Sequence, residues 1–594
     1  MCKFIDEMER LKSSSSSSVA NEEFSDFNQY MHISSKMDER LISVIEKALT
    51  KRKALVLVCG NSGDGKSHII ASLIKRNIIK TPSEFEVYID ATSSDRKGMK
   101  ANEKLKEKLS PFMDENILDE QVCRMVIAIN LGVLNDFIKN YEDQFKIVKK
   151  YIEEQGLFDN LPAWKFVEIN SKKEDNEKYF LGHVDFTSFH RYEINVNGLD
   201  VTFIQRLLNK ITSNDEKNQI YQAFEAECEK CLKRTNCPAY WNYSSLVKDK
   251  NLRAYIIDIL SKAMIKNNLA PSVREINNFF YEIIIGNTFD YALVDALSID
   301  RYVHFIHNLS LWTLFEASDG LLEYTAKEDP LNNPKRFCDK EIISLNMKPN
   351  FKKWLTNDAI HRNEIFKQIY SNVIFCESNP KLVKTYRYCE AILKRDVYKY
   401  FIRIGQSKCQ QIERSYSQFL HLIYEYNKGN EKGCAEIINL IKDCIYLWNG
   451  RLGEKTGGIK KNGVIFGKGT RRYYLYKCIE VQFSRNTQIN SISDDIEFPN
   501  FTTIMRFDFI LKNKPDKKIT LDIDYELYAF LLEVKNGYIP TNSDKKLNVK
   551  YDSFVRNLLD LSDSALYVYS KFENGDSYKI SCDEFGSYVF EREG

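Results

Sequence analysis

The segment from Leu55 to Ile70 limits what this chain can fold into more than any other. Leu55-Val56-Leu57-Val58-Cys59 is an apolar run of strand character, and Gly60-Asn61-Ser62-Gly63-Asp64-Gly65-Lys66-Ser67 spells G-x-x-x-x-G-K-S. His68-Ile69-Ile70 then opens a segment of helical periodicity. Strand, glycine-rich loop and helix in that order are the context in which such a loop cradles phosphates. Glycines allow positive φ, so that successive amide N–H groups can converge on phosphate oxygens, and the new helix adds the positive end of its dipole. In that frame Gly60, Asn61, Ser62, Gly63, Asp64, Gly65, Lys66, Ser67 and His68 form the binding loop. Lys66 is expected to reach the β- and γ-phosphates of ATP, and the Ser67 hydroxyl to take a place on Mg²⁺. An ordinary glycine-rich turn is the alternative, and the flanking strand and helix argue against it.

At 594 residues the chain should hold more than one domain, because single cores stop growing near ~250–300 residues. A formal net charge of +2 carries no global basic signal, so any nucleic-acid contact must come from a local patch. The 14 cysteines form no tight framework, and no apolar run approaches the ~20 residues of a membrane span. A reducing cytoplasm without membrane attachment is the expected setting.

From Lys53 to about Tyr192, short apolar runs alternate with helical stretches, which predicts a parallel α/β sheet. Phe85 to Asp90 reads as a strand ending in an acid, and Asp90 could hold Mg²⁺ through a water, or be structural. Met125 to Asn130 reads as a buried strand. Asn130 at its tip is placed to orient the attacking water; the alternative, a cap on the following helix, is compatible with that role. Phe166 to Ile169 and Val184 to Phe186 are further strand-like runs. The lead-in before Lys53 is predicted helical around a serine run, Ser13 to Ser18.

Cys228-x-x-Cys231 followed by Cys237 resembles three ligands of a Zn²⁺ site, and the neighbouring sequence offers no fourth. Ser272 is a predicted helix N-cap, and Arg274 just inside that helix is placed to sense a γ-phosphate. Arg336, in the Pro-bounded loop Asp329 to Arg336, could act as an arginine finger on a neighbouring subunit. The 299–447 region is predicted mostly helical, with aromatic stripes that belong to core.

Arg451 to Lys477 is strongly basic, with Tyr473-Tyr474 behind an arginine pair. Lys460, Lys461, Lys468, Arg471 and Arg472 are the candidate contacts to the backbone of double-stranded DNA. A hairpin with a basic solvated face is the competing account. Beyond it, period-two alternation through Phe507 to Ile510 and Ile519 to Ile523 predicts strands. Asp508, Asp522 and Glu533-Val534-Lys535 mimic a D…E-x-K nuclease core, but Tyr525 to Lys535 has helical periodicity, whereas such a core needs E-x-K on a strand.

With these residues laid out, the chain resembles the DptF (DndF) family, the ATPase component of the DNA phosphorothioation-dependent restriction system. The likeness runs through Met31-His32-Ile33, the loop Gly60 to His68, Asp90-Ala91-Thr92 and Ile129-Asn130-Leu131-Gly132. It continues through the Cys228, Cys231, Cys237-Pro238 cluster, Val273-Arg274-Glu275, Asp329-Pro330 and Trp448-Asn449-Gly450. It ends at Ile523 to Tyr528 and Gly537-Tyr538. The resemblance implies an NTPase working with two partner proteins to restrict DNA that lacks a sulfur-modified backbone, with no nuclease centre of its own. A nucleotide-gated scaffold with little hydrolysis is the alternative. The expected fold is a P-loop α/β domain (AAA+-like) with a helical lid, then a mostly α-helical region and an α+β C-terminal domain. The expected boundaries are a helical lead-in over 1–52, the ATPase core over 53–215 and the cysteine cluster with the lid over 216–297. A helical domain over 298–450 and the α+β domain over 451–594 complete the chain.

Overall fold

The computed structural model describes residues 2–13, 25–89, 101–158, 179–187, 191–332, 341–345, 347, 350–407, 413–450, 462–468, 473–484, 501–570 and 576–593. Its contacts divide into two compact units. The first comprises Met1–Glu193, Asp200–Met264 and Leu269–Gln411, and the second Ile194–Leu199, Ile265–Asn268 and Ile412–Gly594. Among the described residues no helix is long and apolar enough to cross a membrane.

The first unit is built on a parallel sheet in the order β2 (Glu86–Tyr88), β3 (Cys123–Ile129), β1 (Lys53–Cys59), β4 (Tyr179–Asp185). Strand β1 lies between two partners and all seven of its residues are buried. Its side chains alternate as the pleat demands. Ala54, Val56 and Val58 enter one core with Met37, Leu41 and Ile45 of α3 (Lys36–Leu49) and Ile69, Ile70 and Leu73 of α4 (Lys66–Lys75). Leu55, Leu57 and Cys59 enter the opposite core with Leu105 and Leu109 of α5 (Ala101–Leu109) and Leu134, Phe137 and Ile138 of α6 (Leu131–Asn140). Val148 and Ile152 of α7 (Lys146–Glu154) complete that second core. Helices on both faces explain why β1 reads as an unbroken apolar run instead of an alternating one.

Helix α3 is therefore a wall of the sheet and not merely a lead-in. Gly182 of β4 marks how closely it packs: a Cβ there would lie 2.8 Å from Val44 Cγ1 and 2.6 Å from the Phe180 ring. The predicted strand at Phe166 to Ile169 lies outside the described residues.

Most of the rest of the first unit is helical. Helix α1 (Lys3–Ser13) and α2 (Asp26–Met31) precede α3, while α8 (Thr202–Thr212), α9 (Gln219–Glu227), α10 (Pro238–Lys248) and α11 (Lys250–Lys266) follow the sheet. Helix α12 (Val273–Ile285) begins in a capping box, with Ser272 and Glu275 satisfying each other's backbone N–H groups. Further helices run from Asp300 to Ser407.

Among these last helices a buried ion network closes the packing. Arg403 is fully buried and donates through Nη2 to Asp329 Oδ2 at 2.5 Å and Glu316 Oε1 at 2.6 Å. Asp329, from the Pro-bounded loop, is thus a structural anchor, while Arg336 lies outside the described residues.

In the second unit the helices Arg414–Asn427 and Ala435–Leu447 pack with antiparallel sheets, so the region expected as one helical domain over 298–450 is shared between the units. One sheet orders Lys514–Ile523, Met505–Leu511, Val481–Ser484, and the predicted period-two strands are its hairpin. The other orders Tyr588–Glu593, Ser577–Cys582, Leu566–Ser570, Tyr473–Cys478, Gly463–Lys468. Its first three strands follow the helix Val549–Leu561, in a stretch where no period-two pattern predicts them. They are short, and their exposed positions carry Tyr588 and Phe590, which hides the alternation.

Asp329→Ala should unfold the first unit more readily, because it removes one of the two carboxylates on the buried Arg403 guanidinium and leaves Glu316 as its acidic partner. A loss of about 1–3 kcal/mol is expected in urea denaturation. A variant as stable as the parent would show that the network adds nothing.

Candidate functional site

The loop after β1 has the backbone that its glycines predict. Gly60, Gly63 and Gly65 have φ of 157°, 91° and 93°, and α4 starts directly on Gly65 as its left-handed N-cap. At Gly63 the conformation and the space agree, since a Cβ would stand 3.0 Å from the Arg274 Cβ. Lys66 lies back over the loop, its Nζ donating to Gly60 O at 2.9 Å and Asn61 O at 2.6 Å. Asp64 accepts from Asn61 N at 2.5 Å, and burial raises its carboxyl pKa despite that bond and the nearby cations.

Arg191 supports the loop from behind. It is buried and donates through Nη2 to Asp64 O at 2.6 Å. Burial pulls its pKa down to about 10, against Asp64 and Asp38, which favour the charge, so it stays a cation at neutral pH. No sequence signal marks Arg191, an arginine in an unremarkable stretch. Only the parallel pairing of β4 with β1, which sets Asp185 beside Cys59, carries the following chain to the loop.

Arg274 comes to the same place from 212 positions away in sequence, its Nη1 donating to Ser62 Oγ at 3.2 Å. The Ser67 hydroxyl donates to Ile89 O at 3.2 Å, which ties the first turn of α4 to the chain just past β2. Asp90, the next residue in sequence, lies outside the described residues. Asn130 follows Ile129, which pairs with Cys59, so it stands at the same edge of the sheet as the loop. Its side-chain oxygen caps α6 by accepting from Gly132 N at 2.8 Å, so the capping role is present.

His68 adds a chain of polar contacts. Its Nε2 lies 3.1 Å from His32 Nδ1, and His32 Nε2 lies 3.1 Å from Asp38 Oδ1. Burial pushes the His68 pKa down to about 4, with His32 lowering it further, so its imidazole is neutral at physiological pH. For Asp38, burial opposes ionisation, but hydrogen bonds from His32 and Ser35 outweigh it and lower its pKa.

The other predicted positions are placed as follows. Lys460, Lys461, Arg471 and Arg472 lie outside the described residues, and Lys468 ends the strand Gly463–Lys468. That strand pairs antiparallel with Tyr473–Cys478, so the basic stretch includes a hairpin. Lys477 in its second strand is structural, its Nζ donating to Leu559 O at 3.1 Å and Ser562 O at 3.3 Å. Glu533 and Lys535 lie on the helix Tyr525–Lys535, as the periodicity predicts. Asp522 is held by Arg506 at 2.7 and 2.9 Å, and Asp508 accepts from the Thr520 hydroxyl at 2.8 Å. Cys228, Cys231 and Cys237 lie on the turns between α9 and α10. Among the described residues no group of three or more His, Cys, Asp or Glu side chains is already set to hold a metal.

No family model matches this chain, and neither a curated protein nor a solved structure matches it.

The depressed pKa of His68 has a consequence for stability. The unfolded chain protonates this group near its ordinary value of 6.5 and the folded chain only near 4, so stability is lost as pH falls through that window. In equilibrium unfolding between pH 6.5 and 4, His68→Gln should reduce the slope of stability against pH by about 1.4 kcal/mol per unit. An unchanged slope would mean that His68 titrates normally in the folded protein.

Proposed function

We propose that this chain is a P-loop ATPase of AAA+-like type. We further propose that it is a cytoplasmic subunit of a complex that restricts DNA lacking phosphorothioate modification. The observation that carries the ATPase reading is the convergence of Arg274 on the loop formed by Gly60 to Ser67. An anion-binding loop with its own lysine would serve many ends. A second cation delivered to it by a helical segment more than two hundred residues away serves to read the terminal phosphate.

Phosphoryl transfer asks the protein for position and charge rather than covalent chemistry. The loop amides and Lys66 bind and orient the β- and γ-phosphates, and Arg274 meets the charge that develops on the γ-phosphoryl group. The amide nitrogen of Asn130, on the side of the group that does not cap α6, orients the attacking water. Ser67 and, through water, Asp90 would hold Mg²⁺, which would supply positive charge to the phosphates. The link from Ser67 to Ile89, the residue before Asp90, supports that pairing. Arg336 would act from a neighbouring copy.

The DNA side of the proposal rests on the resemblance and on the basic hairpin, with Lys460, Lys461, Lys468, Arg471 and Arg472 as backbone contacts. The helical setting of Glu533 and Lys535 and the engagement of Asp522 by Arg506 support leaving DNA cleavage to partner subunits.

ATP turnover by the purified chain, with and without duplex DNA, tests this. Lys66→Ala should abolish turnover, and Arg274→Ala should retain nucleotide and lose about 10²–10³-fold in rate. Arg471→Ala with Arg472→Ala should weaken DNA binding evenly across sequences and flatten its salt dependence. Full turnover by Lys66→Ala would overturn the ATPase reading, and nucleotide binding without turnover in the parent would favour a nucleotide-gated scaffold.

A further inference from the structure

The fold supplies the partner that the cysteine cluster lacks in sequence. Cys2, at the foot of α1, is brought against the α9–α10 turns, where its thiol hydrogen-bonds that of Cys228. The backbone holds it there: Lys3 N donates to Glu227 Oε2 at 3.3 Å, and Glu227 immediately precedes Cys228. Beside it the Phe4 ring lies 5.6 Å from that of Phe224 and 5.0 Å from that of Tyr243, and Phe4, Met8 and Leu11 are buried. The meeting of Cys2 with Cys228 is therefore fixed by core packing and is not a chance approach of a chain end.

The turns themselves are arranged to gather sulfur. Cys231 N donates to Cys228 O, Arg234 N to Cys231 O and Cys237 N to Arg234 O, each at 3.2 Å, so three successive tight turns bring the cysteines round. Two of the sulfurs face backbone amides. Cys2 is hydrogen-bonded by the N–H groups of Phe4 and Ile5 where α1 begins, and Cys237 by those of Ala239 and Tyr240 where α10 begins. Cys237 lies within electrostatic reach of Cys2, Cys228 and Cys231, and Cys231 within reach of Cys228; none of the four is in a disulfide. The neighbouring cations are paired, Lys233 with Asp295 at 3.0 Å and Arg234 with Glu229 at 3.2 Å.

We propose that Cys2, Cys228, Cys231 and Cys237 form a structural four-thiolate zinc site that staples α1 to the turns between α9 and α10. A C-x-x-C pair with two further cysteines is the donor set that such sites use, and soft thiolates select zinc over the hard divalent cations. Tetrahedral zinc with Zn–S near 2.3 Å sets its sulfurs about 3.8 Å apart, a separation that two thiols in hydrogen-bond contact already approach. Among the described residues no group of three or more such side chains is at ligand spacing, so the proposal requires the remaining sulfurs to move together when the metal binds. Binding replaces the thiol protons with one metal ion and releases those protons to solvent. This site is separate from the nucleotide loop and stands whether or not the ATPase reading does.

The test is the metal content of the full chain purified without added metal, followed by exchange of the bound ion for Co²⁺. Stoichiometric zinc, and a cobalt spectrum with the intense visible bands and sulfur-to-metal charge transfer of a tetrahedral four-thiolate site, are expected. Cys2→Ser keeps a helix-capping group and should lose part of the charge-transfer intensity and release zinc to a weaker chelator. Cys582→Ser, at an exposed cysteine of the second unit, should leave both unchanged. Four freely reactive thiols without metal, a Cys2–Cys228 disulfide, or a cobalt spectrum indifferent to Cys2→Ser would each overturn the proposal.

Discussion

Burial of β1 on both faces is the constraint on which the first unit depends. A strand hydrogen-bonded on both edges and covered on both faces cannot shift register without exposing one apolar set and opening the other. Its C-terminal end is therefore a fixed point. The chain must leave the sheet there in a sharp turn, and α4 must begin at once to return over the same core. The glycines at 63 and 65 permit that turn, and the amide-lined loop follows from it.

The surroundings of the loop come from elements that have nothing in common in sequence. Arg191 follows the far strand of the sheet, Arg274 opens a capped helix, and His32 precedes α3. Each reaches the loop because a larger body of apolar packing carries it there: α3 on the β1 and β4 face, and α12 with its buried Phe279, Phe280 and Ile283. The polar contacts are few beside this packing, and each places one cation or one ring nitrogen within hydrogen-bond range of the loop or of α4. Arg191 is the most constrained, since its desolvated charge is tolerated only beside Asp64 and Asp38.

The second unit follows a different logic. Its sheets are antiparallel, and between strands and helices they bury aromatic side chains such as Phe507, Phe509 and Phe554. The strands Met505–Leu511 and Lys514–Ile523 were legible because one face is buried and the other wet, which produces clean alternation. The strands from Leu566 onward were not, because their outward positions carry apolar rings that blur the period. Lys477, grouped with the basic stretch by composition, proves to cap a helix end. Charge in a sequence does not say which lysines face water.

Local chemistry settled much in advance. The strand–loop–helix unit, the positive φ of its glycines, the Ser272 cap, the Asn130 cap and the helix under Glu533 all follow from interactions within a few residues, so the amino-acid order alone determines them. What the order could not reveal is which distant segments meet. Cys2 beside Cys228, Arg274 on Ser62, Arg191 behind Asp64 and His32 against His68 each join groups far apart in the chain. Such meetings are decided by how buried surfaces fit together, and that fit is a property of the whole core rather than of any stretch of it.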